Sequence, residues 1–415
     1  MAEKQNAPEI RFEGFTDPWE QRKLGNCGTT YGGLTGKTKE NFGHGNARFI
    51  PYTNVFDNPL TDTKRLEAVE IDPSQNQVAY GDVFFTVSSE TPNEVGMSSV
   101  WLSDQEDVYL NSFCFGYRQD STFDPHYLAY MLRSSSVRSN LILLAQGISR
   151  FNISKNKVME LSVPVPSAVE QKQLGQYFTK LDSLITLHQR KYDKLCTVKK
   201  SMLEKMFPKP GETEPEIRFE GFTDPWEQRK LSSIAASFNY GLNAAATEYD
   251  GKNKYLRITD IDDATHEFLK SDLTTPLADL AMSADYLLEE GDLLFARTGA
   301  SVGKTYLYRQ YDGTVYFAGF LIRARIKESA DPEFVYQATL TDAYKKFVAI
   351  TSQRSGQPGV NAQEYADYQL TLPSRTEQRQ IGMTLRSLDD LITLHQRKLD
   401  LLKNMKKSLL DKMFV

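Results

Sequence analysis

The chain has 415 residues, 40% of them hydrophobic and 25% charged, so it is expected to form two or three domains of ordinary globular composition. Its net charge of −5 excludes a generally basic, histone-like protein, although a local basic face remains compatible with it. The three scattered cysteines form no CxxC pair, and neither a signal peptide nor a membrane-length apolar run is present, so we expect a cytoplasmic protein without disulfides, structural zinc or membrane contact.

The first element is a segment, residues 8–24, that recurs without change as residues 215–231, at an offset of 207. Residues 164–207 and 371–414 agree in 25 of 44 positions at the same offset. The chain is therefore two copies of one unit, and only the middles, 25–163 and 232–370, have diverged. Similar flanks around different centres are typical of a protein that reads two targets, although duplication followed by drift gives the same pattern.

The first middle alternates strand and helix signals. β-branched and aromatic runs at 49–55, 83–88 and 108–117 predict strands, and 125–133 and 135–145 predict helices. Polar loops at 31–46, 88–99 and 146–154 carry Arg, Lys, Asn and Ser, the side chains that hydrogen-bond to base edges and phosphates. Any one of these loops taken alone is as well explained by solvation.

A long helix follows, predicted over 168–206. Ser167 and Glu170 have the spacing of a capping box, in which each side chain bonds to the backbone N–H of the other residue. Pro208 ends the helix because it has no N–H to donate. Between them runs a heptad seam with steps of four and three, made of Leu174, Phe178, Leu181, Ile185, His188, Tyr192 and Leu195.

The second middle predicts a mixed α/β domain like the first. Strands are indicated at 255–261, 293–297 and 315–326, and helical structure at 332–350. Glycine-containing polar loops lie at 297–305 and 353–363, the latter just before the last helix.

The last helix, predicted over 375–413, repeats the first, with Ser374 and Glu377 in the capping-box positions. Because either seam alone would expose apolar side chains, the two helices are predicted to pair, and an antiparallel pair gives the chain a pseudo-twofold axis. His188 and His395 are then best explained as polar seam positions rather than metal ligands. The seam of this second helix consists of Ile381, Leu385, Leu388, Ile392, His395, Leu399 and Leu402.

Two segments imitate catalytic motifs. Residues 299–305 resemble a phosphate-binding loop, but three residues separate the glycines where a working loop has four. Residues 124–127 read Asp-Pro-His-Tyr and resemble the Asp-Pro-Pro-Tyr of an amino-methyltransferase, but no cofactor loop accompanies them, and Asp-Pro also fits a helix start, as it does at 331–332. The five histidines show no metal-ligand spacing. We therefore predict no catalytic residue and no metal site.

Several motifs together resemble a known family. They are Trp-Glu-x-x-Lys-Leu at 19–24 and 226–231, Gly-Asp before a strand at 81–82 and 291–292, Arg-Thr-Gly-Ala-Ser-Val-Gly-Lys at 297–304, and Pro-Ser-x-x-Glu-Gln at 166–171 and 373–378. With the doubled architecture, the chain resembles the DNA-specificity subunit of a type I restriction–modification system. The first middle departs from the pattern, since residues 89–99 replace the Gly-Ala-Ser-Val-Gly-Lys loop.

The resemblance implies an α+β fold in which two mixed α/β target-recognition domains are separated by two long antiparallel coiled-coil helices. The domains would be 1–163 and 211–370, and the helices 164–210 and 371–415. Each domain would read one half of a bipartite site in double-stranded DNA. Catalysis would belong to partners: two modification subunits that methylate adenine with S-adenosylmethionine, and restriction subunits that use ATP and Mg²⁺. The chain itself would hold no cofactor.

Candidate DNA contacts are the polar side chains of the five loops. They are Lys37, Lys39, Thr91, Asn93, Ser149, Arg150, Asn152, Arg297, Thr298, Ser301, Lys304, Gln353, Arg354, Gln357 and Asn361. The competing interpretation is a non-catalytic coiled-coil adaptor with two protein-binding heads and no DNA role.

Overall fold

The computed structural model describes residues 7–209, 211–354 and 356–415. Ser355, in the predicted loop at 353–363, and Pro210, at the predicted domain boundary, lie outside these residues, as do residues 1–6. The chain forms two compact units: residues up to His188 with Lys398–Val415 make the first, and Gln189–Arg397 the second. The boundaries expected at 163, 210 and 370 stay predictions, since each compact unit takes part of both long helices.

The first unit is built on a four-stranded antiparallel sheet, β2-β9-β5-β7, beside a three-stranded sheet, β4-β3-β8, in which β3 and β8 are parallel. Its strands are β1 Glu20–Lys23, β2 Gly28–Gly32, β3 Phe42–Ile50, β4 Glu67–Val69, β5 Val83–Thr86, β6 Ser88–Ser89, β7 Ser98–Val100, β8 Val108–Leu110, β9 Cys114–Gln119, β10 Phe151–Asn152 and β11 Ser162–Val165. Its helices are α1 Tyr52–Asp57, α2 Pro125–Met131, α3 Ser135–Leu143, α4 Lys155–Met159 and the start of α5, Ala168–Lys205.

The second unit repeats the plan with the antiparallel sheet β13-β20-β17-β18 and a parallel pair, β15-β19. Its strands are β12 Glu227–Lys230, β13 Ala235–Tyr240, β14 Ala245–Glu248, β15 Lys254–Leu256, β16 Thr274–Leu277, β17 Asp292–Ala296, β18 Thr305–Leu307, β19 Val315–Phe317, β20 Leu321–Ile326 and β21 Gln369–Leu372. Its helices are α6 Leu231–Ile234, α7 Pro332–Ala338, α8 Asp342–Thr351, α9 Ala362–Ala366 and the start of α10, Arg375–Lys412.

Five sequence predictions were wrong in detail. The runs 108–117 and 315–326 each form two strands instead of one, β8 with β9 and β19 with β20. The run 49–55 is strand only to Ile50 and then turns into α1, and 255–261 ends as strand at Leu256 before a short 3-10 helix. In both runs apolar residues continue past the strand because they are buried in the core of their unit. The region 332–350 forms two helices, and Thr341 caps the second of them through its side chain.

The Gly-Asp pairs before β5 and β17 are structural. Asp82 is buried, accepts hydrogen bonds from the Tyr31 hydroxyl and the backbone N–H of Ala79, and pairs with Arg118 of β9. Asp292, its counterpart, accepts from the backbone N–H of Glu289 and from the Arg325 guanidinium at 3.1 Å. Each aspartate therefore holds the turn before the central strand and ties it to a neighbouring strand.

Each repeated flank is anchored to the start of a long helix by a buried ion pair. The Glu170 carboxylate accepts two hydrogen bonds from Arg11, at 2.7 and 2.8 Å, and one from the Trp19 indole. Glu377 accepts the equivalent pair from Arg218, at 2.7 and 2.9 Å. This corrects half of the capping-box prediction.

The two serines do cap their helices, since Ser167 and Ser374 accept from the backbone N–H three residues later. The glutamate carboxylates, however, accept hydrogen bonds from arginines 159 positions away and not from the backbone N–H of the capping serine.

The next residue of each motif, a glutamine, joins the long helix to a short one. The Gln171 side-chain oxygen accepts from the backbone N–H of Asp124, and Gln378 does the same for Asp331. These two aspartates cap α2 and α7, which confirms the helix starts expected at the Asp-Pro pairs.

The long helices α5 and α10 match their predicted bounds to within one residue at their C-termini. In the first unit, Asp182 of α5 pairs with Lys406 of α10 at 2.5 Å and accepts from Tyr130 of α2. In the second, Asp389 of α10 pairs with Lys199 of α5 and accepts from Gln337 of α7. These contacts repeat at an offset of 207 with the roles of α5 and α10 exchanged.

The end of each long helix completes the core of the other half of the chain. Phe414 packs against Tyr127 and Phe178 in the first unit, with ring centroids 5.7 and 5.5 Å apart. Phe207 packs against Trp226 and Phe334 in the second. The backbone carbonyls of Lys412 and Lys205 then accept from the N–H groups of Ile10 and Ile217, so that each repeated flank covers a helix end.

The residues of the predicted seam differ in their surroundings. Leu174 and Phe178 belong to the core of the first unit, and Ile381 and Leu385 to that of the second, so the start of each seam packs on its own domain. Further along, Leu181, Ile392 and Leu399 are buried and the other seam positions are half-buried. None of the helices in the described ranges is both long and apolar enough to cross a membrane.

Candidate nucleic-acid interface

In the second unit, the two predicted polar loops meet at the C-terminal end of β17. Thr298 and Gly359 form an antiparallel bridge, and the backbone N–H of Val360 donates to the Arg297 carbonyl at 2.9 Å. The N–H of Gly299 donates to the carbonyl of Pro358 at 3.0 Å. Loop residues that are 59 to 63 positions apart in sequence therefore share one surface, held by backbone bonds that leave their side chains available.

Arg297 is the cation of this surface. Its guanidinium lies over the Tyr240 ring at 4.9 Å from the centroid, and Tyr240 is 44% exposed. Stacking on an aromatic ring orients the planar guanidinium without using its N–H groups, which therefore stay available for a phosphate or a guanine edge.

The other candidates in the 353–361 loop divide into bound and available side chains. Arg354 forms an ion pair with Glu364, and one of its nitrogens donates to the Thr351 carbonyl at 2.8 Å. Asn361 caps α9 by accepting from the N–H of Glu364. Gln353 and Gln357 are exposed, and the Gln357 amide lies over Gly299, where a Cβ atom would meet it at 2.7 Å.

Lys304 is largely buried and bonded within the domain. Its ammonium pairs with Asp263 and donates to the carbonyl of Ile261 at 2.9 Å, and its side chain is 12% exposed. Ser301 is half-buried in the short 3-10 helix Gly299–Ser301. Lys304, the lysine of the segment that resembles a phosphate-binding loop, thus stabilises the domain.

In the first unit, loops 88–99 and 146–154 meet in the same way. Ser88 pairs with Asn152, and the N–H of Ile153 donates to the Val87 carbonyl at 2.9 Å. The pair Ser88 and Asn152 corresponds to Thr298 and Gly359 of the second unit. The pair Val87 and Ile153 corresponds to Arg297 and Val360. The first head therefore has the same backbone arrangement, although its loop sequence departs from the family pattern.

The side chains on this first surface differ from those on the second and include the exposed Ile148. Arg150 is exposed and its guanidinium reaches the Ser88 hydroxyl at 3.3 Å, and Ser149 is exposed beside it. Thr91 and Asn93 are exposed at a short 3-10 helix. The Arg138 guanidinium donates a hydrogen bond to the Asn93 carbonyl of this helix.

The two lysines of loop 31–46 differ in their surroundings. Lys37 is 12% exposed and pairs with Asp72 at 2.9 Å. Hydrogen bonds from Ser74 and then the Lys37 ammonium hold the pKa of the Asp72 carboxyl well below its usual range. Lys39 is exposed beside the three-stranded sheet β4-β3-β8, which is separate from the four-stranded sheet. The structure thus makes Lys39 the available lysine.

Sequence reasoning missed three exposed aromatic residues at these loops. Tyr240, Phe113 and Phe320 are 44%, 59% and 59% exposed. Phe113 and Phe320 stand in the predicted strands 108–117 and 315–326, where an aromatic side chain is normally taken as core. Tyr240 lies in a segment for which no strand or helix was predicted. Among the described residues, no group of three His, Cys, Asp or Glu side chains is placed to hold a metal ion.

Comparison with known proteins gives one family. The protein-family model described as "Type I restriction modification DNA specificity domain" matches this chain twice, over residues 16–196 and 223–404. The MjaVIII type I restriction enzyme specificity subunit of Methanocaldococcus jannaschii is 22% identical over 307 residues, covering 71% of this chain and 70% of the relative. The EcoKI specificity subunit of Escherichia coli K12 is 22% identical over 413 residues, covering 95% and 88%.

Among solved structures, the chain is similar in fold to the type I restriction–modification S subunit from M. genitalium. The TM-score is 0.62 at 16% identity, and the match covers 99% of both chains.

Proposed function

Because this chain belongs to the family of type I restriction modification DNA specificity domains, we propose that it selects the DNA site for such a system. Each head reads one half of a bipartite sequence in double-stranded DNA, and the chain itself is non-catalytic. The observation that carries the proposal is the doubled family match, in which each copy contains one pair of polar loops on the same backbone arrangement with different side chains.

The two long helices pair as an antiparallel coiled coil and act as the spacer between the two heads. Two ion pairs support this arrangement, one in each unit: Asp182 near the middle of α5 with Lys406 near the end of α10, and Lys199 near the end of α5 with Asp389 near the middle of α10. An antiparallel pair brings together early positions of one helix and late positions of the other. A parallel pair at the same register would place equivalent residues side by side.

Two modification subunits that use S-adenosylmethionine, and restriction subunits that use ATP and Mg²⁺, supply the chemistry. The parts shared by both halves, residues 8–24 with 164–207 and 215–231 with 371–414, are the natural docking surfaces for two identical partners. We expect two modification subunits for each chain, and native mass measurement at saturation checks this. One modification subunit for each chain would contradict it.

The test of the function is selection from a random duplex library by the chain assembled with its modification subunits. We expect enrichment of two short sequences separated by an unread spacer. Exchange of residues 25–163 for the middle of a related subunit should then change one of the two sequences and leave the other as the internal control. Retention of DNA without enrichment of any sequence would contradict the proposal, as would no retention at all.

Within the second head, the geometry favours Arg297 over Arg354 as the residue that reads a base, because Arg354 is already paired with Glu364. If Arg297 contacts a guanine edge, Arg297→Ala should cost about 1–3 kcal/mol at one position of one half-site. A phosphate contact would weaken binding to all sequences and reduce the salt dependence. Arg354→Ala serves as the matched control and should change the selected sequence little.

A further inference from the structure

Each head exposes one phenylalanine at the same structural position. Phe113 precedes β9 and Phe320 precedes β20, at an offset of 207, and both rings are 59% exposed. The surrounding residues differ between the heads: Asn-Ser-Phe-Cys-Phe in the first corresponds to Ala-Gly-Phe-Leu-Ile in the second. Among these five positions the phenylalanine alone is identical, and the buried residues Val108 and Tyr109 just before them also recur, as Val315 and Tyr316.

Backbone bonds place both rings beside the paired loops. The Phe113 carbonyl accepts from the N–H of Val87, and the Phe320 carbonyl accepts from the N–H of Arg297, each at 3.0 Å. Val87 and Arg297 directly follow the central strands β5 and β17 and open the loops that form the two candidate surfaces. Each phenylalanine thus lies at the edge of a surface to which the loops contribute Ser, Thr, Asn and Arg side chains.

An exposed phenylalanine is unfavourable in water unless a ligand covers it, since burial of such a ring is worth about 1.5–3 kcal/mol. A protein partner would require a continuous apolar patch, whereas each of these rings lies beside loops rich in polar side chains. A ring next to cationic and polar groups fits a nucleic-acid base, whose face is apolar and whose backbone is charged. Apolar side chains also act as wedges between base steps.

Resting on the proposed function, we propose that Phe113 and Phe320 are DNA-contacting residues, each of which stacks on or between bases of its own half-site. The polar loops then read base edges, and each ring fixes the position of one base step against its head. This assigns the same contact to both heads, independently of the sequences that they read.

The probe is the duplex that the wild-type complex enriches from a random library, with 2-aminopurine substituted singly along each half-site. We expect Phe113→Ala and Phe320→Ala to weaken binding of this duplex about tenfold each. Each variant should also abolish the 2-aminopurine fluorescence change in one half-site only. The salt dependence should stay unchanged, because no charge is removed. Phe→Tyr at either position should retain most of the affinity and the fluorescence change.

Two exposed tyrosines at the opposite ends of the same central strands provide matched controls. Tyr80, 53% exposed, precedes β5, and Tyr311, 66% exposed, lies in the turn after β18, on the side where β17 begins. Their replacement by alanine should leave both affinity and fluorescence unchanged.

The outcomes separate this inference from the proposed function. If wild type selects a bipartite site and both phenylalanine variants bind it as tightly as wild type with an unchanged fluorescence response, the inference is wrong and the function stands. If the variants lose only assembly with modification subunits, while assembled complexes bind DNA normally, the rings are protein contacts and the inference is again wrong. If wild type selects no sequence, the proposed function itself fails.

Discussion

Replacement of Glu170 by glutamine tests whether the buried ion pair anchors the first flank to its head. The Glu170 side chain is 1% exposed and accepts from Arg11 and Trp19. Removal of one partner of a buried ion pair typically costs about 3–5 kcal/mol, because the other charge is left without compensation. Since glutamine keeps one acceptor oxygen and Arg11 is 14% exposed, we expect the lower end of that range, about 3 kcal/mol.

The assay is hydrogen exchange resolved along the chain, since a protein with two compact units need not unfold in one step. Protection should fall in the first unit, around β1, β11 and α2, and stay unchanged in the second. Glu20→Gln is the matched control: Glu20 pairs with Arg22 in the same flank, but the two side chains are 66% and 48% exposed, so the cost should stay below about 1 kcal/mol. Equal effects of the two variants, or no effect of Glu170→Gln, would refute the reasoning.

Three further results are expected. Phe414→Ala should destabilise the first unit by about 3–5 kcal/mol, whereas Leu401→Ala, 66% exposed on the same helix, should cost less than about 0.5 kcal/mol; exchange in the first unit measures both. Gly33→Ala should cost about 2–3 kcal/mol, because the new Cβ would lie 2.0 Å from a backbone carbonyl oxygen, while Gly32→Ala meets nothing within 4 Å; thermal unfolding compares them. Burial lowers the pKa of His266, so the unfolded state binds more protons, and the stability that His266 contributes should fall as pH decreases below about 6.5. Between pH 7.5 and pH 5.5, wild type should therefore lose more free energy of unfolding than His266→Gln. Equal losses in the two proteins would contradict this.

Local signals predicted the long helices well and their tertiary partners poorly. Ser167 caps α5 and the helix ends three residues before Pro208, both of which depend on nearby residues alone. Glu170 has the spacing of a capping box, but its carboxylate binds a charged donor from a distant segment, the Arg11 guanidinium, instead of the backbone N–H of the cap. Since Arg11 is 159 positions away in the chain, no window along the helix sequence contains that donor.

The same limit applies to the candidate site. The composition of the polar loops predicted that they carry the recognition surface, but it could not separate Arg297 from Lys304 or Arg354. Those two cations pair with Asp263 and Glu364, which approach only in the folded domain. Phe113 and Phe320 were missed for the complementary reason, since the strand-like runs in which they stand are interpreted as core regardless of what the fold places above them. Comparison of the two halves at an offset of 207 matches Phe113 with Phe320, but it also matches Val108 and Tyr109 with Val315 and Tyr316, which are buried.

The placement of Phe414 in the core of the first unit has a consequence for synthesis on the ribosome. The first unit contains residues from the start of the first repeat, yet its core lacks the Phe414 ring, and the Lys412 carbonyl that Ile10 covers, until residues 412–414 have been made. The second unit needs no residue beyond Arg397 and can close earlier. The half of the protein that is made first is thus completed last, so a nascent or prematurely terminated chain presents a closed second unit beside an open first one.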